Sequence, residues 1–211
     1  MQAAKSVVIS CAGIGSRLGL GTTKALINIH GKSLIRWQLE LFQEAEDIRV
    51  VVGFEAQKVI DEVRQYRSDA IFVFNHNYFE TKTGASYHLG ARDGNAYALA
   101  CDGDVLVHPD DMKKLWEAQG EWIAYADKMS EDAVFVRVDE QGAVLSFSRE
   151  AGDYEWTGPC CLKKEHVAYT SGYVYNQLEP HLPLPGIKIR ACDINTYADY
   201  ERALKFVESW P

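Results

Sequence analysis

A glycine-rich segment with two cations, between Val7 and Leu26, contains the first residue types that could do chemistry. The apolar run Val7-Val8-Ile9 leads into Ala12-Gly13-Ile14-Gly15-Ser16-Arg17, and Lys24 follows shortly after. Glycines let backbone N–H groups approach a ligand closely, and N–H groups that follow a strand form a nest for anions. Arginine and lysine are the two cationic side chains that bind phosphate. The segment therefore predicts a cradle for a polyphosphate.

Two better-known phosphate loops do not fit this segment. A dinucleotide-binding loop reads G-x-G-x-x-G and is followed by an acidic residue about 20 positions on, and a P-loop closes on Gly-Lys-Ser/Thr. The segment has neither pattern. The structural alternative is a glycine-rich turn with two solvated cations, and the spacing by itself leaves it open.

Two acidic segments could bind a metal ion near that cradle. Asp102-Gly103-Asp104 follows a strand-like run, and carboxylates at a strand end suit Mg²⁺, which prefers oxygen ligands. Asp193-Ile194-Asn195-Thr196 could supply further ligands. The alternatives are an Asp-Gly turn at the first segment and a helix N-cap at Asn195 or Thr196 in the second.

Polar and aromatic side chains could recognise the organic parts of a substrate. Amides and hydroxyls between Asn75 and Ser86 could contact a base or ribose, although Ser86 could equally cap a helix. An aromatic cage could hold a trimethylammonium group by cation–π attraction, with Asp153 and Glu155 adding negative charge. The alternative for each aromatic residue is packing in the core. The candidates are Trp122, Tyr154, Trp156, Tyr169, Tyr173 and Tyr175.

The first half of the chain alternates strands and helices. This βαβαβαβ alternation predicts a parallel sheet flanked by helices, with ligands at the carboxyl ends of the strands. The glycine loop, Gly53, Asn75 and Asp102/Asp104 would then converge on one cleft. The predicted strands are Val7–Ser10, Arg49–Val52, Ala70–Phe74 and Ala96–Cys101, and the predicted helices are Leu34–Ala45, Gln57–Tyr66, Ser86–Arg92 and Pro109–Ala118.

After about residue 120 the pattern changes to shorter strands. We expect the second half to extend the same sheet, so that residues 1–211 form a single domain with a nucleotide-binding half (1–120) and an acceptor-binding half (121–211). The predicted strands are Trp122–Asp127, Ala133–Val138 and Ala143–Ser148, and the predicted helices are Glu165–Val174 and Ala198–Ser209.

Composition narrows the class of protein. A net charge of −8 argues against a general nucleic-acid surface. The cysteines are odd in number and lie in apolar runs, which predicts buried thiols: Cys11, Cys101, Cys160, Cys161 and Cys192. No apolar run is long enough to span a membrane, and no signal peptide is recognisable, so we expect a cytoplasmic protein, either a monomer or a homodimer.

The chain resembles the nucleotidyltransferases of the nucleoside-diphospho-sugar type. Their signature, L-A-A-G-x-G-x-R followed by Pro-Lys, is similar to Ser10-Cys11-Ala12-Gly13-Ile14-Gly15-Ser16-Arg17, with Thr23-Lys24 at the Pro-Lys position. The stretch from Leu26 to Leu34 is similar to the family's L-x-x-I-x-G-K-P-L. The resemblance implies a Rossmann-like three-layer α/β/α fold with a mixed, mostly parallel sheet, as in the A-type glycosyltransferases.

The more specific resemblance is to small cytidylyltransferases similar to bacterial phosphocholine cytidylyltransferase. Their N-P-x-Y-x-x-T-N-N-x-x-S-L is matched at Asn75, Tyr78, Thr81 and Ser86, whereas His76, Lys82, Thr83 and Tyr87 depart from it. Their metal-binding Gly-Asp matches Gly103-Asp104. Their E-I-D-T-P-E-D-L is similar to the eight residues that begin with Asp193, but Asn195 replaces an acid.

The resemblance implies Mg²⁺-dependent transfer of a nucleoside monophosphate, CMP above all, to a phosphorylated or phosphonylated small acceptor. It implies catalytic roles for Arg17 and Lys24 and metal ligation by Asp104, Asp193 and Asn195, with Asp102 as a possible substitute. The implied nucleotide-binding residues are Ala12, Gly13, Ile14, Gly15, Ser16, Gly84, Ala85 and Ser86, and the implied acceptor-binding residues are Asn75, Tyr78, Trp156 and Gly158.

Three alternatives remain open from the sequence. The chain could be a sugar-1-phosphate nucleotidylyltransferase that uses UTP or GTP. It could be a non-catalytic nucleotide-binding module, since Pro is lost before Lys24 and Asn195 replaces an acid. An A-type glycosyltransferase with Asp102-Gly103-Asp104 as its D-x-D motif would leave the glycine-rich loop unexplained.

Overall fold

Strands alternate with helices in the first half of the chain, as the sequence predicts. The computed structural model describes residues 4–15, 22–129 and 133–210. The strands of this half are β1 (Lys5–Ser10), β2 (Asn28–Ile29), β3 (Lys32–Ser33), β4 (Ile48–Val52), β5 (Ile71–Phe74), β6 (Tyr97–Asp102) and β7 (Val105–Val107). The helices are α1 (Leu34–Leu41), α2 (Ala56–Arg64), α3 (Thr83–Ala91) and α4 (Pro109–Glu117).

The second half is built mainly from antiparallel strands. They are β8 (Trp122–Ala126), β9 (Phe135–Val138), β10 (Ala143–Ser148), β11 (Tyr154–Lys163), β12 (Leu184–Lys188) and β13 (Ala191–Asp193). Two helices accompany them, α5 (Tyr175–Leu178) and α6 (Tyr197–Glu208). Thr196 and Asp199 form a reciprocal capping box at the start of α6, which fixes where this helix begins directly after the Asp193–Asn195 segment.

Nine of these strands form one mixed sheet with the order β5-β4-β1-β6-β11-β8-β12-β10-β9. The pairs β4/β5, β1/β4 and β1/β6 are parallel, so the carboxyl ends of these four strands lie along one edge. β11 joins β6 in the antiparallel direction. The expected mixed sheet is confirmed, and β11 is the strand that connects its two halves.

Helices cover both faces of the sheet. Val7 and Ile9 of β1 pack in a cluster with residues of α1, α2 and α4, while Val8 packs on the opposite face with Tyr87 and Ala91 of α3. This follows from the alternation of side chains along a strand. A third cluster joins α6 to the start of α1, to β2 and to β7. The three-layer arrangement is thus the one that the sequence predicts.

One prediction for the second half was wrong, and two strands of the nine-stranded sheet were not predicted. The helix expected at Glu165–Val174 is a short 3-10 turn at Lys164–His166 followed by a loop, which Lys82 and Gly84 hold by hydrogen bonds to its backbone. β11 was not predicted because Gly158-Pro159 interrupts it, and these residues normally weaken strands. β12 was missed for the same reason, since Pro185-Gly186 lies within it.

The five cysteines are all buried, as expected. Burial raises the pKa of the Cys11 thiol above its usual range, with the charges of Asp104 and Asp102 adding to the rise. Among the described residues, no helix has the length and apolarity needed to cross a bilayer.

Candidate active site

A cleft of about 430 Å³ opens at the carboxyl ends of β1, β5 and β6. Its walls are the loop after β1, the segment around Lys24, the loop between β5 and α3, the acidic turn after β6, and Tyr173. The structure therefore brings together segments that are far apart in the sequence. The lining residues used below are Ala12, Gly13, Ile14, Gly15, Lys24, Asn75, Tyr78, Phe79, Thr81, Lys82, Thr83, Ser86, Asp102 and Asp104.

The loop after β1 runs along one wall of the cleft. Gly15 has φ +66°, and a Cβ there would lie 2.9 Å from Cγ of Lys24, so glycine is required both by the backbone and by the close approach of Lys24. Gly13 has open space around it, with nothing within 4 Å of a Cβ. Ser16 and Arg17 lie outside the described residues.

Lys24 links the acidic turn to the segment before α6. Its ammonium donates to Asp104 Oδ2 at 2.7 Å and to Asn195 Oδ1 at 2.7 Å. Asn195 in turn donates through its amide to the carboxylate of Asp193. The side chain of Lys24 is only 12% exposed, so this ion pair is shielded from solvent. Four of the residues singled out from the sequence are thereby joined in one network.

The carboxylates of this network repel one another. Burial raises the pKa of Asp102 to about 7, and the negative charge of Asp104 adds to the rise while Lys24 opposes it. Burial also raises the pKa of Asp193 to about 6, helped by the charges of Asp104 and Glu155. Carboxylates that raise one another's pKa in a cleft are frequent at functional sites, and a bound cation would relieve their repulsion.

Two side chains that the sequence analysis did not identify, the buried Gln38 and the partly buried Glu55, position the acidic turn and Lys24. Gln38 of α1 donates from its amide to the carbonyls of Asp102 and Val105, each at 2.7 Å. Glu55 accepts from the Thr22 hydroxyl at 2.9 Å and from the Thr23 N–H at 3.1 Å, which fixes the approach to Lys24. The sequence signal that could have identified Gln38 is its position as a glutamine on the otherwise apolar face of α1.

The opposite wall of the cleft is formed by the loop after β5 and the start of α3. Ser86 lines the cleft and is buried, and its hydroxyl accepts from the Asn75 amide at 3.1 Å. Gly84 and Ala85 are buried and do not line the cleft. A Cβ on Gly84 would lie 2.5 Å from Thr170, so the space there is taken by the loop that precedes α5.

β11 passes the acidic turn with a bulge. The pairing of β11 with β8 shifts between Trp156 and Cys160, and Gly158 within the bulge has φ +100°. A Cβ on Gly158 would lie 3.0 Å from Asp102 Oδ2, so the bulge brings the backbone of this strand against the acidic turn. Glycine is needed at this position for both reasons.

The predicted aromatic residues separate into distinct groups. Trp156, Tyr173 and Tyr175 gather with Phe147, with ring centroids 5.7–5.9 Å apart, and Arg149 lies over Tyr173 and Tyr175. Tyr173 connects this group to the cleft. The others lie elsewhere: Trp122 is in the core, Tyr154 packs on Tyr125, and Tyr169 packs on His88.

The two acids expected near the aromatic residues are engaged with the backbone. The buried Glu155 accepts from the N–H of Met129 at 2.7 Å, and Asp153 accepts from the N–H of Val138 at 3.1 Å.

Tyr78 lines the cleft, where its ring packs against Phe54.

The model of the MobA-like NTP transferase domain family matches residues 7–169. The chain belongs to this family. It is therefore a nucleotidyltransferase by family. The matched residues include the loop after β1, Lys24, the acidic turn and the bulge in β11, but end before α6.

Part of the chain is also similar to curated proteins. The bifunctional protein GlmU of Aliarcobacter butzleri is 30% identical over 112 residues, which are 52% of this chain and 26% of that protein. The chain thus spans about a quarter of the length of that relative, or a third for another GlmU protein that it matches.

Two solved structures share the fold over nearly the whole chain. The inositol-1-phosphate CTP transferase from T. maritima has a TM-score of 0.82 at 17% identity, covering 100% of both chains. The CTP:phosphocholine cytidylyltransferase from Streptococcus pneumoniae has a TM-score of 0.78 at 18% identity, covering 97% of this chain and 99% of that one.

The donor set of this nucleotidyltransferase suits a hard divalent cation. Asp104, Asp193 and Asn195 offer oxygen atoms, the donors that Mg²⁺ prefers, and the repulsion between the carboxylates would be relieved by a positive charge. Among the described residues, no three acidic, histidine or cysteine side chains already stand together as a metal centre. The proposed ligands are thus two carboxylates and one amide oxygen. Metal ligation by these residues stays a prediction.

Proposed function

We propose that this nucleotidyltransferase transfers CMP from CTP to a phosphorylated or phosphonylated small acceptor and releases pyrophosphate. The observation that carries the proposal is the network in which Lys24 meets Asp104 and Asn195 beside the loop after β1. A lysine paired with an acidic turn and the glycine-rich loop after β1 meet at one cleft. This combination suits the transfer of a phosphoryl-type group, where charge must be stabilised in place.

The loop after β1 would hold the triphosphate. Backbone N–H groups of residues 12–16 would bind the β- and γ-phosphates, and Arg17 would neutralise the leaving pyrophosphate. Lys24 would stand between the α-phosphate and the acceptor phosphate, exchanging its contact with Asp104 for phosphate oxygens. The exchange is supported by the chemistry of lysine, a flexible point charge with three donors.

Asp104 and Asp193 would hold Mg²⁺, assisted by Asn195 or Asp102. Bound there, the cation would neutralise charge on the phosphate oxygens and help to orient them.

The reaction needs no nucleophile from the protein. An oxygen of the acceptor's phosphate or phosphonate forms a bond to the α-phosphorus, and the bond from that phosphorus to the bridging oxygen of the β-phosphate breaks. The electron pair of that bond leaves with pyrophosphate. The residues of this chain bind the two anions and align them, a contribution that lowers the barrier through proximity and orientation. Cys11 lines the cleft, but burial keeps its thiol protonated by raising its pKa, so it is unsuited to attack.

The acceptor would lie on the side of β11. Gly158 stands against Asp102, and the group of Trp156, Tyr173, Tyr175 and Phe147 borders the cleft through Tyr173. Phosphocholine, an aminoalkylphosphonate and a sugar phosphate are the acceptor classes that follow from the resemblance. The choice of CTP is supported by the same resemblance and by the names of the two solved structures, which share the fold.

A substrate panel tests the proposed function. Pyrophosphate release would be measured for CTP, UTP, GTP and ATP, each with Mg²⁺ and with phosphocholine, 2-aminoethylphosphonate or a sugar 1-phosphate. We expect release with CTP and at least one of these acceptors, none without an acceptor, and none after chelation of the metal. Release with UTP or GTP and a sugar 1-phosphate, but not with CTP, would contradict the proposed donor and favour a sugar-1-phosphate enzyme.

A further inference from the structure

The wall of the cleft opposite the phosphate loop has a polar lining in which most groups are already engaged. The Asn75 amide donates to Thr81 Oγ1 and to Ser86 Oγ, both at 3.1 Å, and its oxygen accepts from the N–H of Asn77 at 3.1 Å. The Thr81 hydroxyl donates to the Asn77 carbonyl at 2.9 Å. Asn75 and Thr81 thus shape the loop, and little of their hydrogen-bonding capacity remains for a ligand.

The side chain of Lys82 lies on the same wall and, unlike those of Asn75 and Thr81, is not engaged in hydrogen bonds with the part of the chain that the structure describes. Its backbone N–H donates to the Ser171 carbonyl at 2.9 Å, which fixes where the residue stands. Within the described ranges, its ammonium has no ion pair or hydrogen bond, whereas the other lysine that lines the cleft, Lys24, is paired with Asp104. Lys82 is also one of the positions at which the sequence departs from the cytidylyltransferase pattern.

The neighbours of Lys82 suit an aromatic ligand. Tyr78 and Phe79 line the same wall, and Phe79 is 80% exposed at the rim of the cleft. Aromatic side chains offer a flat surface on which a nucleobase can stack. With the triphosphate on the loop after β1, this wall is the part of the cleft where an aromatic surface and unengaged polar groups coincide.

We propose that Lys82 recognises the nucleobase and sets the preference for CTP over UTP. This inference rests on the proposed function, in which the triphosphate occupies the opposite wall. The hydroxyls nearby, those of Thr83 and of Ser86, which accepts from Asn75, can donate or accept and therefore tolerate either pyrimidine. An ammonium group only donates, so it is the group on this wall that can discriminate.

The two pyrimidines differ at the edge that such a donor would contact. Cytosine presents two adjacent acceptors, O2 and N3. Uracil keeps the acceptor O2 but has an N–H donor at N3, so an ammonium that lies between O2 and N3 would face this N–H and be repelled. A lysine at this position thus favours the binding of cytosine over that of uracil. A donor that faces another donor loses its hydrogen bond as well as its hydration.

Substitutions of Lys82 test this assignment. Binding of CTP and of UTP would be measured with Mg²⁺ and no acceptor, and kcat/KM for each nucleotide with the best acceptor. In Lys82→Gln, whose amide can also accept from N3–H of uracil, we expect the CTP to UTP ratio to fall at least tenfold in both measurements. Lys82→Arg, which again only donates, should keep the preference of the unchanged protein. Lys113→Gln on the exposed face of α4 is the matched control and should leave the ratio unchanged.

The possible outcomes separate this inference from the proposed function. An unchanged ratio in a folded and active Lys82→Gln variant would overturn the inference while leaving the transfer reaction intact. A loss confined to the KM of the acceptor would also overturn it, since Lys82 would then contact the acceptor. If the unchanged protein releases pyrophosphate with none of the substrate pairs, that result would instead contradict the proposed function.

Discussion

Gln38 is buried and donates hydrogen bonds to the backbone of the acidic turn. It is 1% exposed, and its amide nitrogen donates to the carbonyls of Asp102 and Val105. Its own oxygen has no hydrogen-bond partner, which costs about 1–3 kcal/mol for a buried polar group. The side chain therefore contributes less to stability than its two hydrogen bonds suggest. Its main effect is to fix the turn that carries Asp102 and Asp104.

Gln38→Leu should reduce activity more than stability. Losing both donors leaves two carbonyls unpaired, but the substitution also removes the unpartnered oxygen and buries more apolar surface, so we expect the free energy of unfolding to fall by less than about 2 kcal/mol. The acidic turn would be less well aligned, and kcat/KM should fall about tenfold. Pyrophosphate release and urea unfolding measure the two effects, with Gln43→Leu as an exposed control. Activity within threefold of the unchanged protein would contradict this role.

The connection between β12 and β13 depends on a carboxylate of α4. Asp111 accepts from the N–H and Nε of Arg190 at 2.9 and 2.7 Å, and from Lys114 at 2.6 Å. Burial would raise the pKa of Asp111, but these donors outweigh it and lower the pKa to about 2. Since β13 ends at Asp193, the same contacts help to fix one of the proposed metal ligands.

The contribution of Asp111 should depend on pH in a defined direction. Because its pKa is lower in the folded protein than the value of about 4 in the unfolded chain, its stabilisation is present above pH 4 and is lost as pH falls toward 2. We expect Asp111→Asn to lower the free energy of unfolding by about 2 kcal/mol at pH 7 and by progressively less below pH 4.

Urea unfolding at pH 7, 5 and 3 measures this difference. Asp110→Asn is the control, because its ion pair with Arg190 is exposed and should contribute less than about 1 kcal/mol. A difference between Asp111→Asn and the unchanged protein that stays constant from pH 7 to pH 3 would show that the charge of Asp111 is not its source.

The molecule as a whole divides into a first half that the sequence predicts well and a second half that it predicts in part. In the first half, the four parallel strands and the four helices were predicted from local patterns, whereas the short strands β2, β3 and β7 were not. Parallel strands must end along a common edge, so the cleft could also be predicted. In the second half, the strands β8, β9 and β10 and the helix α6 are confirmed, but β11 and β12 were not predicted. These two strands contain Gly158-Pro159 and Pro185-Gly186, which local patterns assign to turns. Only their pairing with β6, β8 and β10 makes them strands.

The same distinction applies to the site. Lys24, Asp104 and Asn195 were singled out by residue type and by the family pattern, and the structure brings them into hydrogen-bond contact. Gln38 and Glu55 were missed because their role is to hold backbone atoms of other segments, which no local pattern encodes. Of the six aromatic residues proposed for a cage, Tyr173 lines the cleft, and Trp156 and Tyr175 belong to the aromatic group that packs beside it.

Steady-state pyrophosphate release by Lys24→Met tests the central claim most directly. If Lys24 stabilises the charge that moves between donor and acceptor, removing it should lower kcat/KM by at least a hundredfold, or about 3 kcal/mol of transition-state stabilisation. Lys113→Met should stay within threefold of the unchanged protein, and urea unfolding should show both variants folded. A Lys24→Met variant that is folded and also stays within threefold would contradict the account.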